Sequence, residues 1–332
     1  MITTGGLPAS AAGGDLRQAF RWHRPLMILT AAMAGLVVVG IVGMFADSRV
    51  LTGLPIWDKP TKFALSILIY SVTWAWLIAQ LDRARRVAWW AGAVSAVFLG
   101  LEMVILVGDV VRGTTSHFNV STPLDATLWM VMASAIAVVW LATLLVSVIL
   151  FRNPGPDRAR NLAIRAGAVI AVIGMALGFL MTTPQPGQIA AGGKILGAHT
   201  VGLADGGPGL PILGWSTVGG DLRIPHFVGM HALQLIPLLL IGCELLSRRN
   251  QALRTPTVRF RLVGVATAGY AALLALLTWQ ALRGQSVVHP DPLTAALFAV
   301  IVVGVLAGAA VALRAARISG APAGAVAPSP LT

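Results

Sequence analysis

VAWWAGAVSAVFLGLEMVILVGDVV, residues 87–111, runs for 25 residues without a Lys or Arg and holds two carboxylates, Glu102 and Asp109. A helix rises 1.5 Å per residue, so about 20 apolar residues cross the roughly 30 Å of bilayer hydrocarbon. The run is long enough to span a membrane, and its two acids sit where a membrane normally excludes charge.

Seven further runs of similar length and character lie at 26–45, 62–81, 128–151, 163–181, 227–246, 262–282 and 293–313. Membrane β-strands are about ten residues long and alternate in polarity, so these runs read as helices. The first is as long as a full span and is not followed by a small-residue cleavage pattern, so it reads as retained. The sequence predicts an all-α, polytopic integral membrane protein, a bundle of about eight transmembrane helices. Of the 332 residues 57% are hydrophobic and 11% charged, and the mean hydropathy is +0.82, beyond what a soluble core absorbs.

The net charge of +12 does not point to nucleic acid, because the basic residues gather at span ends rather than on one soluble element. Alternate connecting segments hold 17 and 7 of the 24 Lys and Arg, and the richer set contains both termini. By the positive-inside rule, the N and C termini are expected to be cytoplasmic and the protein to lie in the plasma membrane. The 21 Arg against 3 Lys, with abundant Ala, Gly and Val, fit a GC-rich bacterial source. Cys243 is the single cysteine, which excludes an intramolecular disulfide.

Residues 1–24 read as a flexible cytoplasmic segment, 25–317 as one transmembrane domain, and 318–332 as a disordered tail. The connection at about 182–225 holds 11 Gly and 5 Pro, interleaved with Ile, Leu, Val and Trp215. It is expected to fold back over the outer mouth of the bundle, where it could dock a partner protein; membrane lipids are the other expected partner. Helix contacts are expected at Gly174-x-x-x-Gly178, Gly304-x-x-x-Gly308 and Ala31-x-x-x-Gly35, where small residues let backbones approach.

The chemistry is expected in the ionisable groups. Glu102 and Asp109 are seven residues apart, two turns along one helical face, with Arg112 a turn further. They form a polar stripe and are the candidate catalytic, proton-carrying pair. Arg112, Arg223 and Gln234 are candidate substrate-binding residues. His117, His226 and His231 are candidate metal ligands, for zinc or haem, because five of the six histidines fall on the predicted outer side. His226 and His231 are five apart and do not share a helical face, so such a site needs ligands from other segments. His199 and His289 read as solvated loop residues. Asp58-Lys59-Pro60 reads as a helix start, and Thr, Ser and Asp within STPLD, residues 121–125, as capping residues.

Three functions follow. The first is an outer-leaflet metal or haem site acting in redox or lipid-headgroup chemistry. The second is a proton-coupled transporter using Glu102 and Asp109, and the third a non-catalytic membrane subunit of a larger complex.

Overall fold

The computed structural model of the protein describes residues 16–319. The outer parts of the segments expected to be flexible, 1–15 and 320–332, lie outside the described residues. The described chain is helical, with α1 Leu16–Phe20, α2 Arg24–Ala46, α3 Asp58–Ala79, α4 Arg85–Arg112, α5 Pro123–Phe151, α6 Arg158–Leu177, α7 Arg223–Met230, α8 Ala232–Leu246, α9 Pro256–Leu282 and α10 Pro292–Ser319. A small antiparallel hairpin, β1 Val50–Leu51 and β2 Leu54–Pro55, joins α2 to α3.

Seven of these helices are long and apolar enough to cross a membrane. The eighth apolar run is split into α7 and α8, bent by 47°, so there are eight crossings only if the bent pair counts as one.

Helix ends are set by capping chemistry rather than by the limits of the apolar runs. The Thr122 hydroxyl accepts from the Asp125 backbone N–H at 3.1 Å and donates to the Asp125 carboxylate at 2.7 Å, with Pro123 in the first turn. The helix expected from residue 128 therefore begins at 123. Asp157 caps α6 through the N–H groups of Ala159 and Arg160. Gly113, at φ +69°, ends α4 in the left-handed conformation that glycine adopts without strain.

One core fills the space between α2, α3, α4 and α5, with Leu26, Trp74, Leu77, Leu106, Met132 and Val139 all buried. A second, built from Ala163, Ile170, Ile236, Leu240 and Val263, joins α6, α8 and α9. Helix α10 packs along α9, where Gly308 meets Val265 and Gly269 meets Val305. Its other face leaves Val300, Val303, Leu306 and Val311 exposed, the surface a lipid-facing helix presents.

The small-residue expectations divide. Gly174 packs on the backbone of Gly229 and Gly178 on the His226 ring, so that motif is a helix contact. Gly308 makes its contact too, but Gly304 and Gly35 have no heavy atom within 4 Å of a Cβ position, so they correct the other two motifs. The close approach on α2 occurs instead at Gly40, against Thr61, and at Gly43, against the Trp57 ring.

The break between α7 and α8 falls at His231. Pro237 lies inside α8 and has no N–H for the carbonyl four residues earlier. The break also releases carbonyls of the preceding turn, and Tyr270 on α9 donates its hydroxyl to one of them, Val228 O, at 2.5 Å. A buried carbonyl left without a donor would cost about 1–3 kcal/mol, so this cross-helix bond stabilises the bend.

The glycine-rich connection is folded. Lys194 O accepts from Val120 N–H and Phe118 O from Leu196 N–H, each at 2.8 Å, which ties it to the loop between α4 and α5. Lys62 donates to Ile212 O and Leu213 O, and Ser286, between α9 and α10, donates to Ser216 O. Gly206 lies against Thr52 in the hairpin. All four connections at this end of the bundle are thereby joined into one cover.

Candidate acid–base site

Under this cover, Glu102 on α4 has no exposed surface, and neither carboxylate oxygen has a hydrogen-bond partner. Arg112 ends the helix ten residues later, so Glu102 lies about 15 Å inward along α4. The Nε2 of His117 faces it, 3.5 Å from Oε1, too long for a strong hydrogen bond and close enough for a proton to pass after a small movement.

His117 reaches this position because residues 114–119 turn inward. Asn119 holds the turn by donating to Thr114 Oγ1 and Thr115 O, and Phe118 adopts φ +65°, an unusual conformation for a bulky residue. The imidazole lies among Phe63, Phe118 and Trp129, with ring centres 5.4 to 6.0 Å away. Its Nδ1 is 3.0 Å from Ser116 Oγ. Burial holds its pKa well below the ordinary histidine value, and the nearby Lys59 ammonium acts in the same direction.

Behind His117 stands a second histidine. His199 donates from Nδ1 to Asp205 Oδ2 at 2.5 Å, while its backbone N–H and the Thr200 hydroxyl donate to Asp205 Oδ1, each at 3.0 Å. That arrangement fixes the tautomer and leaves Nε2 as a base. Burial lowers the His199 pKa, an effect that outweighs the opposing pull of Asp205. The bonds to His199 and Thr200 hold the Asp205 carboxyl below the usual range, although its burial alone would raise it.

Lys59, in the first turn of α3, lies within electrostatic reach of Glu102, Asp205, His117, His199 and Arg223, and makes no direct ion pair among the described residues.

The other sequence-derived candidates make their direct contacts outside this group, although Arg223 and Asp109 lie within electrostatic reach of Lys59. Asp109 is engaged by Arg112, which also pairs with Asp125 at the start of α5. Arg223 is held by Asp221 and donates to Gly214 O. His226 donates from Nδ1 to Gly174 O at 2.8 Å. His231 meets Phe227 edge to face, 4.5 Å between ring centres, and lines a small cavity with Gln234. Among the described residues, no group of three or more His, Cys, Asp or Glu is placed to hold a metal ion, so His117, His226 and His231 do not come together as a ligand set.

Sequence reasoning gave Lys59 only a helix-start role and read His199 as a solvated loop residue, and it did not pair His199 with Asp205. A signal existed for Lys59, one of only three lysines in a chain with 21 arginines. Neither a family model, nor a curated protein, nor a solved structure matches the chain.

The two largely buried histidines are expected to make the cover pH-sensitive. Each is harder to protonate in the closed form than in an opened one, so their contribution to closure is complete above the ordinary value of 6.5 and declines as the pH falls below it. Asp205 acts in the same direction only near and below its ordinary value of 3.8. Hydrogen exchange, corrected for intrinsic rates, should show residues 183–222 better protected at pH 7.5 than at pH 5. Equal protection at both would contradict this coupling.

Proposed function

We propose that the protein is a proton-coupled carrier of the plasma membrane in which the Glu102–His117 pair takes up and releases a proton as the loop cover opens and closes. One observation supports this above the others: a fully buried intramembrane carboxyl, with both oxygens unbonded, faces an imidazole at 3.5 Å. An ionised carboxylate without partners is costly in such a place, so a proton or a cation has to accompany it. Glu102 has no exposed surface, and only a proton can reach it without displacing the cover. His199, fixed by Asp205, supplies the next base towards the loops.

Charge bias supports the orientation. The four covered connections belong to the Lys- and Arg-poor set, so the site opens outward and both termini are cytoplasmic. Lys59 is the cation left to meet an anionic solute, since Arg112 and Arg223 are engaged by aspartates. Lipid covers the outer face of α10, and the exposed Ile189, Ile212 and Val218 are where a partner protein would meet the loop.

The test is proton flux into proteoliposomes that enclose a pH-sensitive dye, after an imposed pH step. Glu102→Gln keeps the shape and removes the titrating group, and should lower the protein-dependent flux at least tenfold. Flux equal to the wild type in that variant would refute the proposal.

A further inference from the structure

A second polar layer lies deeper in the bundle and has no part in the site above. Ser95 is seven residues before Glu102, on the same face of α4 and about 10 Å further in. Opposite it, the Tyr70 hydroxyl on α3 lies 2.8 Å from Thr143 Oγ1 on α5 and 3.4 Å from Ser95 Oγ. Thr143 gives its own proton to Val139 O at 2.8 Å, so it accepts from Tyr70. The single Tyr70 proton thus has two acceptors within reach and can serve only one at a time.

Next to Tyr70 and Thr143 is a cavity with room for about one water molecule, also lined by Trp74, Met175, His231 and Gln234. It opens where α7 and α8 part, at His231. Gln234 donates from Nε2 to Thr73 Oγ1 at 3.3 Å, and its buried Oε1 faces the His231 ring without a hydrogen bond of good geometry. A water here has an acceptor in Gln234 Oε1 and two further partners in the Tyr70 hydroxyl and the His231 ring. Three partners are what a buried water typically has, and these polar groups stand in an otherwise mostly apolar lining.

We infer that the cavity binds one water bridging Gln234, Tyr70 and His231, and that this layer is the inner leg of the proton path whose outer leg is Glu102–His117. The inference rests on the carrier reading above. A proton leaving Glu102 passes by way of Ser95 and Tyr70 to the bound water and on to His231. Each hydroxyl, and the water, gives up one proton as it takes another, so only Glu102 and His231 change protonation state. The path requires water to bridge the 10 Å between Glu102 and Ser95 when the cover opens. A broken span with polar groups at the break is a recurrent construction of transport sites.

The experiment combines the same flux assay with infrared difference spectroscopy of the reconstituted full chain. Tyr70→Phe should lower flux at least tenfold, while the carboxylic C=O band assigned to Glu102, by its absence in Glu102→Gln, persists. Gln234→Leu, which fills the cavity, should lower flux similarly and abolish a buried-water O–H band present in the wild type. Wild-type flux in both variants, with flux lost in Glu102→Gln, overturns the inner leg and leaves the Glu102 proposal standing. Wild-type flux in Glu102→Gln overturns the carrier reading and the inner leg with it. The O–H band then decides water binding alone: its absence from the wild type, or its survival in Gln234→Leu, refutes the bound water.

Discussion

Gly229→Val is expected to give no stably folded protein in detergent, and Gly174→Val the same. A Cβ on Gly229 would lie 2.4 Å from Gly174 Cα, and one on Gly174 would lie 2.2 Å from the carbonyl carbon of Gly229. Both neighbours are backbone, so no side chain can rotate out of the way and α6 and α7 must separate. Separation also lengthens the 2.8 Å bond from His226 Nδ1 to Gly174 O and disturbs the Tyr270 hydroxyl on Val228 O, which the bend at His231 relies on. Overpacking costs about 1–3 kcal/mol, and losing a buried bond adds about 1–3 kcal/mol, together a large part of a typical folding free energy. Gly304→Val is the control, because nothing stands within 4 Å of its Cβ position. Thermal unfolding followed by tryptophan fluorescence reads all three. A melting temperature for Gly229→Val equal to that of the wild type would contradict the described contact.

The architecture was largely legible because hydrophobic length is a strong signal: each of the eight apolar runs contains or overlaps a helix. The ends were less legible. A window of hydropathy stops at Lys62, whereas the Asp58-Lys59-Pro60 start pattern puts the end where α3 begins, at Asp58, with Lys62 Nζ pairing with the Asp58 carboxylate at 2.5 Å. Polar first turns of this kind lower the local average although the backbone is already helical. The split in the sixth run was hidden for the opposite reason. LQLIPLLLIG, residues 233–242, is apolar but for Gln234, and neither Pro237 nor the Gly229 contact with another helix changes the average.

Within the site, Glu102 could be found because carboxylates are rare inside spans. Its partner could not be found by spacing. Helical periodicity links Glu102 to Asp109 and Arg112, whereas the contact is with His117, in a loop beyond the helix end. Lys59 sits in a helix-start pattern that explains it locally and conceals its electrostatic neighbours. His199 and Asp205 meet only because residues 199–205 close on themselves in the folded loop. Such contacts depend on tertiary structure, and a single sequence gives no covariation from which to read them.

Arg112→Met is expected to lower the melting temperature by roughly 5–10 °C, a loss that a second change should recover. The guanidinium bonds Asp109 Oδ1 at 2.8 Å from the end of α4 and Asp125 Oδ1 at 2.5 Å from the start of α5. Both carboxylates are almost fully buried, whereas the arginine is about one third exposed (34%), so solvent screens its side of the pair. Without it, two negative groups face each other across the helix ends, one of them also the cap partner of Thr122. Arg112→Lys should recover only part of the loss, since an ammonium lacks the fork that reaches both acids. Arg112→Met with Asp109→Asn and Asp125→Asn removes the charges together and retains a side-chain oxygen to accept from Thr122. If Arg112 is a clasp for α4 and α5, this triple variant melts near the wild type and carries protons at the wild-type rate. If Arg112 binds substrate, stability returns and transport does not. The two readings therefore separate on one protein, and the engagement of both guanidinium ends by buried carboxylates favours the clasp.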